Sequence, residues 1–80
     1  MEREELKNKI QKIFRDVFDN DEIVLTDSTC SDDIEEWDSL GHIQLIKAIE
    51  KELGVKLTAQ EIRSWEDVGE MLDNLLKKQN

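Results

Sequence analysis

The chain has 80 residues, no proline, three glycines and 38% apolar residues, enough for one small domain that buries roughly 60% of the surface its unfolded chain exposes. A core of that size leaves little room for a deep, water-excluded pocket, which argues against an enzyme acting alone on a small molecule. Twenty acids against eleven bases give a formal net charge of −9, which argues against nucleic acid and anionic membranes as partners and favours basic ones.

Leu6, Ile10, Ile13, Phe14, Val17 and Phe18 recur at the spacing of one helix face, with Lys7, Lys9, Lys12, Arg15 and Asp16 on the others. The pattern predicts a first helix from about Arg3 to Phe18. The stretch from Asp19 to Asp38 is long for a connection in so small a domain and is expected to be anchored or functional. Ile23, Val24, Leu25, Ile34 and Trp37 are expected to pin it to the bundle, with a helical turn over Asp32 to Glu36. Cys30, the single cysteine, has no disulfide partner and reads as a spectator thiol. With no signal-type apolar stretch, it predicts a cytoplasmic protein without membrane insertion. Placing Asp27 at the first position of a calcium loop puts Asp32 where glycine is needed and Asp38 where a bidentate glutamate belongs, so the acidic loop does not carry that motif.

A second periodic block runs from Ser39 to near Leu53, where Gly54 supplies a left-handed stop. At 100° per residue from Leu40, the residues Leu45, Ile49, Leu53, Ile46 and Ile43 fall between about 140° and 300°, a stripe expected to face the core. Leu40 lies opposite, with Gln44, Lys47 and Lys51, and is expected in solvent. Thr58-Ala59-Gln60-Glu61 has the form of a capping box and Ser64-Trp65-Glu66-Asp67 a weaker one, so a very short third helix precedes a fourth. The fourth carries Trp65, Val68, Met71, Leu72, Leu75 and Leu76 on one stripe and ends among Lys77 and Lys78. Gly69 within it suggests close approach of another helix. No strand-like alternation and no internal repeat is evident. The expected fold is all-α, a single domain over residues 1–80, a small four-helix bundle of three main helices and one short helix.

Asp38-Ser39-Leu40 unites a nucleophile, a helix start and an exposed apolar residue. A serine at the N-cap or first turn keeps its hydroxyl outside the helical ladder, next to unpaired N–H groups and the positive dipole end, a seat for an attached phosphate. Read as the cap, it makes Ser39→Ala cost about 1 kcal/mol. His42, three residues on, invites a Ser-His catalytic reading. The chain has no second histidine and no evident oxyanion hole, so packing, local hydrogen bonding or contact with an attached group suits it better.

At these residues the chain resembles the acyl carrier protein family, including its peptidyl carrier relatives: Asp38-Ser39-Leu40 opens helix two after a long loop, followed by Ile43, Leu45 and Ile49. Size, acidity, helix order and the short helix before the last one extend the similarity over the whole chain. The resemblance implies that Ser39 receives a 4′-phosphopantetheine arm from coenzyme A, as a phosphodiester, through a separate magnesium-dependent phosphopantetheinyl transferase. The arm's thiol would carry acyl or aminoacyl groups as thioesters to loading and acyl-transfer enzymes, the protein being a monomeric carrier and not itself an enzyme. Asp38 would support the transfer, and Leu40 would contact partners. Gln44, Lys47, Lys51 and Glu61 are the other candidate partner contacts.

Fatty-acid carriers usually continue the motif with acids along the exposed face of helix two. Here those places read Gly41, Gln44, Lys47 and Lys51, with only Glu50 near the edge. The acidity has moved to Asp32, Asp33, Glu35, Glu36 and Asp38, and to Glu61, Glu66 and Asp67. Rim charge sets association rate and partner discrimination, so the expectation is a carrier in a specialised route, such as amino-acid, polyketide, nonribosomal peptide or surface-polysaccharide acylation. The alternatives are the housekeeping carrier of fatty-acid biosynthesis and an unmodified acidic helical adaptor for a basic protein.

Overall fold

In the computed structural model, which describes residues 2–79, helices occupy Arg3–Phe18 (α1), Ser39–Leu53 (α2), Ala59–Ser64 (α3) and Val68–Gln79 (α4), with a 3-10 turn at Ser31–Asp33. No strand occurs among the described residues, and the all-α, four-helix expectation holds. The periodic patterns placed the ends of α1 and α2 well because both are closed by backbone geometry as well as by sequence. Asp19 takes a left-handed φ of 50° after α1, and Gly54 one of 66° after α2, its N–H bonded to the Glu50 carbonyl.

Three helix starts are held by acidic or hydroxyl side chains. Asp38 Oδ1 accepts from the Gly41 N–H at 2.7 Å. Thr58 and Glu61 exchange the two bonds of a capping box, each 3.1 Å. Asp67 Oδ1 accepts from the Glu70 N–H at 2.9 Å, and Glu70 reaches back to the Glu66 N–H at 2.7 Å. These bonds decide one alternative and correct one expectation. The cap of α2 is Asp38, which puts Ser39 in the first turn, the second of the two places the sequence allows. The last helix starts at Val68, because the Ser64 hydroxyl turns back to the Glu61 carbonyl at 2.7 Å and Trp65, in extended backbone, ends α3 instead of joining α4.

The core is built by Leu6, Ile10, Phe14 and Phe18 of α1, Leu45 and Ile49 of α2, and Val68, Met71, Leu72 and Leu75 of α4, with α1 packed against both partners. The connecting loop completes it. Ile23, Leu25, Ile34 and Trp37 are buried, but Val24 is 67% exposed. Burial alternates along this non-helical segment, with Ile23 and Leu25 turned to the core and Val24 turned away from it. The expected helical turn is shorter and earlier, at Ser31–Asp33, and Ile34 leaves it in extended backbone to reach the core.

Loop backbone is tied down at both sides. Arg15 Nε donates to the Ile23 carbonyl at 2.8 Å, and the Leu25 N–H donates to Gln11 Oε1 at 2.9 Å. On the far side the Val68 and Gly69 N–H groups donate to the Thr29 and Asp27 carbonyls, both at 2.8 Å. Arg3 adds contacts to Asp27, Asp73 and the Gly69 carbonyl. A Cβ on Gly69 would lie 3.0 Å from the Asp27 carbonyl oxygen. The close approach at that glycine is therefore made by the loop and not by another helix.

The α2 stripe is narrower than the sequence suggested. Leu45, Ile46 and Ile49 are buried, while Ile43 is 54% exposed. Gly41 is buried instead, because the Glu36 carbonyl and the Phe18 ring close over it where it has no side chain to hold the loop away. A Cβ there would sit 2.3 Å from the Glu36 carbonyl oxygen and 2.9 Å from Phe18 Cε1. Gly41→Ala should therefore lose about 1–3 kcal/mol to overpacking, even though alanine favours a helix by about 1 kcal/mol. Urea unfolding measures this, and an unchanged midpoint would show that the loop is not pressed against α2.

Candidate functional site

The Asp38 carboxylate accepts from the Gly41 N–H and its carbonyl from the His42 N–H at 2.8 Å, so the residue before Ser39 fixes the first turn of α2 twice. Ser39 is exposed, and its hydroxyl makes no hydrogen bond among the described residues. With the cap supplied by its neighbour, Ser39→Ala should change stability by less than about 0.5 kcal/mol, below the earlier expectation.

Ser39 opens onto a groove of about 450 Å³ between α2 and α3. Ser31, Trp37, Asp38 and His42 form one wall beside it, and Ile62, Arg63, Trp65 and Glu66 the other. His42 organises this groove. Trp37 Nε1–H donates to His42 Nδ1 at 2.8 Å, so the neutral imidazole carries its proton on Nε2. The Trp37 and Trp65 rings flank the imidazole with centroids at 6.0 and 6.3 Å, the latter edge-on. Burial holds the His42 pKa below its ordinary 6.5, opposed in part by a hydrogen bond with the Ile62 backbone. No bond joins His42 to Ser39 among the described residues, which leaves the Ser-His pairing without support.

Leu40, Gln44, Lys47 and Lys51 share one exposed face of α2, as the sequence suggested, and Leu40 is 65% exposed. Ile43 adds a second apolar side chain at its edge. Neither lysine has an ion-pair partner among the described residues. Glu61 lies apart from this face. Asn74 and Lys78, each at 2.9 Å, and the Thr58 N–H at 3.1 Å surround its carboxylate and hold its pKa at about 2. Trp65 Nε1 donates to Asn74 Oδ1 at 3.3 Å, which extends this bracket between α3 and α4 to the groove wall. Glu50, the one acid retained near the edge of α2, accepts from the Leu57 N–H at 2.9 Å and so steadies the turn into α3.

The sequence reading overlooked Ile62, Arg63 and Trp65 as groove residues. Trp65 carried a signal, since it stands between two cap motifs where a helix ends. Arg63 carried none, because a lone arginine at the end of a short helix matches no spacing rule.

The family described as "phosphopantetheine attachment site" matches residues 8–75. The chain belongs to the acyl carrier protein family. Among solved structures it is similar to the holo acyl carrier protein from Geobacter metallireducens, at 41% identity and a TM-score of 0.84, covering 89% of this chain and 82% of that one. No curated protein sequence matches it. The cofactor of this carrier is a covalently attached 4′-phosphopantetheine, and an exposed hydroxyl outside the helical ladder fits such a phosphodiester. No helix among the described residues of the carrier is long and apolar enough to cross a membrane.

The histidine geometry has a pH signature. A base whose pKa is lowered by folding binds fewer protons in the native than in the unfolded state, so stability is full above pH 6.5 and falls as the pH drops below it. Thermal melts between about pH 7.5 and 5.5 should show this fall for the parent carrier and a flatter profile for His42→Gln. Glu61 titrates lower, from 4.5 toward about 2, and leaves that window clear.

Proposed function

We propose that Ser39 is the attachment site and that this carrier holds acyl or aminoacyl groups as thioesters for enzymes of a specialised biosynthetic route, in preference to housekeeping fatty-acid synthesis. The observation that carries the reading is the exposed, unbonded Ser39 hydroxyl on a turn made rigid by Asp38. In the transfer, the Ser39 oxygen becomes esterified to phosphate as the adenosine bisphosphate half of coenzyme A departs. The proton of the hydroxyl leaves with the base of the transferase. Asp38 keeps the serine in the first turn, and Leu40 beside it offers an apolar anchor. When bound, the cofactor supplies a thiol for thioester exchange.

The exposed face of α2 supports the specialised reading. Leu40 and Ile43 form an apolar pair, followed down the helix by Lys47 and Lys51, in a chain of net charge −9. A partner that covers this face presents an apolar socket flanked by carboxylates, the reverse of a basic partner.

Incubation with coenzyme A, magnesium and a broad-specificity phosphopantetheinyl transferase should add one phosphopantetheinyl group to the parent by intact mass and none to Ser39→Ala. An equal gain in both would move the attachment point elsewhere. Changing Lys47 and Lys51 to Glu should raise loading by enzymes of ordinary fatty-acid synthesis, most at low salt, by about one order of magnitude in association rate. Identical rates for parent and double variant at low salt would remove partner selection by this face.

A further inference from the structure

Building on Ser39 as the attachment site, we propose that Arg63 is the cation that draws the phosphodiester of the arm into the α2–α3 groove, so that the arm rests against Trp65 instead of extending into solvent. Arg63 and Ser39 line the same groove from opposite walls. In a protein with 20 acids and 11 bases, the Arg63 guanidinium is exposed and has neither an ion pair nor a hydrogen bond among the described residues. It is the one cation among the nine groove residues, against the two carboxylates of Asp38 and Glu66. Asp38 already accepts from the Gly41 N–H, whereas the Glu66 side chain has no partner among the described residues. A phosphodiester at Ser39 would meet net repulsion there without Arg63. A guanidinium offers the forked donors that suit phosphate oxygens. Trp65 stands behind it, its ring steadied by Asn74 and packed edge-on against His42, and provides a flat apolar wall for the amide-linked chain of the arm. Arg63 is thus a positioning residue for the cofactor.

The test compares apo and holo forms of the parent, Arg63→Gln, Arg63→Lys and Glu66→Gln, each checked by intact mass, through the Trp65 indole N–H and Ile62 amide signals in proton–nitrogen NMR spectra. Both signals should move on attachment of the arm in the parent. The shift should shrink about 1.5- to 5-fold in Arg63→Gln, the range of an exposed ion pair. It should persist in large part in Arg63→Lys and grow in Glu66→Gln. Added salt should reduce the parent's shift and raise that of Arg63→Gln, where only the repulsion of Asp38 and Glu66 is left to screen. Attachment by mass with unmoved Trp65 and Ile62 signals, or equal shifts in parent and Arg63→Gln, would overturn the role of Arg63 and leave the carrier reading intact. Failure of the parent to gain mass would overturn both.

Discussion

The indole of Trp37 is where loop, core and site meet. Its ring stands edge-on to Phe14 with centroids 4.9 Å apart and is only 8% exposed, while its N–H is bonded to His42. Burying such a ring stabilises by roughly 1.5–3 kcal/mol, and the buried N–H demands an acceptor or costs about 1–3 kcal/mol. The neutral imidazole meets that demand. Trp37 and His42 thus require one another, and the serine between them in sequence is held still while its own side chain stays out of both the core and the hydrogen bonds. An exposed residue at the end of so long a loop needs an anchor of this kind to keep one position, since loop backbone is otherwise mobile.

Much of the acidity that suggests a charged docking surface has a nearer role. Asp33 accepts from the Cys30 N–H, Asp38 and Asp67 hold the starts of α2 and α4, Glu61 belongs to the α3 capping box, and Glu50 and Glu70 accept from loop N–H groups. A chain without proline cannot rely on that residue to stop and start its helices, and side-chain acceptors do the work here. Exposed cations without an ion pair among the described residues, Arg63, Lys47 and Lys51 among them, therefore stand out more sharply against the acidic background than their number implies.

What could be read from the sequence was what repeats or what closes. The stripes of α1 and α2, the left-handed stop at Gly54 and the Thr58 capping box all rest on local rules that the tertiary structure leaves intact. Val24 and Ile43 were misjudged for the opposite reason. Each lies next to buried apolar residues in sequence, but the course of residues 23–25 is fixed by bonds to Arg15 and Gln11 of α1, and the roll of α2 at Gly41 by the Glu36 carbonyl and Phe18. The choice between Ser64 and Asp67 as the last start turned on whether a hydroxyl faces forward or back. The serine motif was legible because helix position and chemistry coincide there. The groove was not, since its second wall comes from residues more than twenty positions away.

The first N–H groups of α4 are bonded to carbonyls of the loop that leads to Ser39, at Thr29 and Asp27. A helix start is ordinarily a local matter, and fraying there stays local. In this fold, releasing the first turn of α4 frees the Thr29 and Asp27 carbonyls, exposes Val68 and loosens the run that carries Ile34 and Trp37. The serine-bearing loop and the C-terminal helix therefore belong to one cooperative opening unit, whose amides should exchange with solvent together. A change that loosens the start of α4 is then felt at Ser39, although the two are distant in sequence.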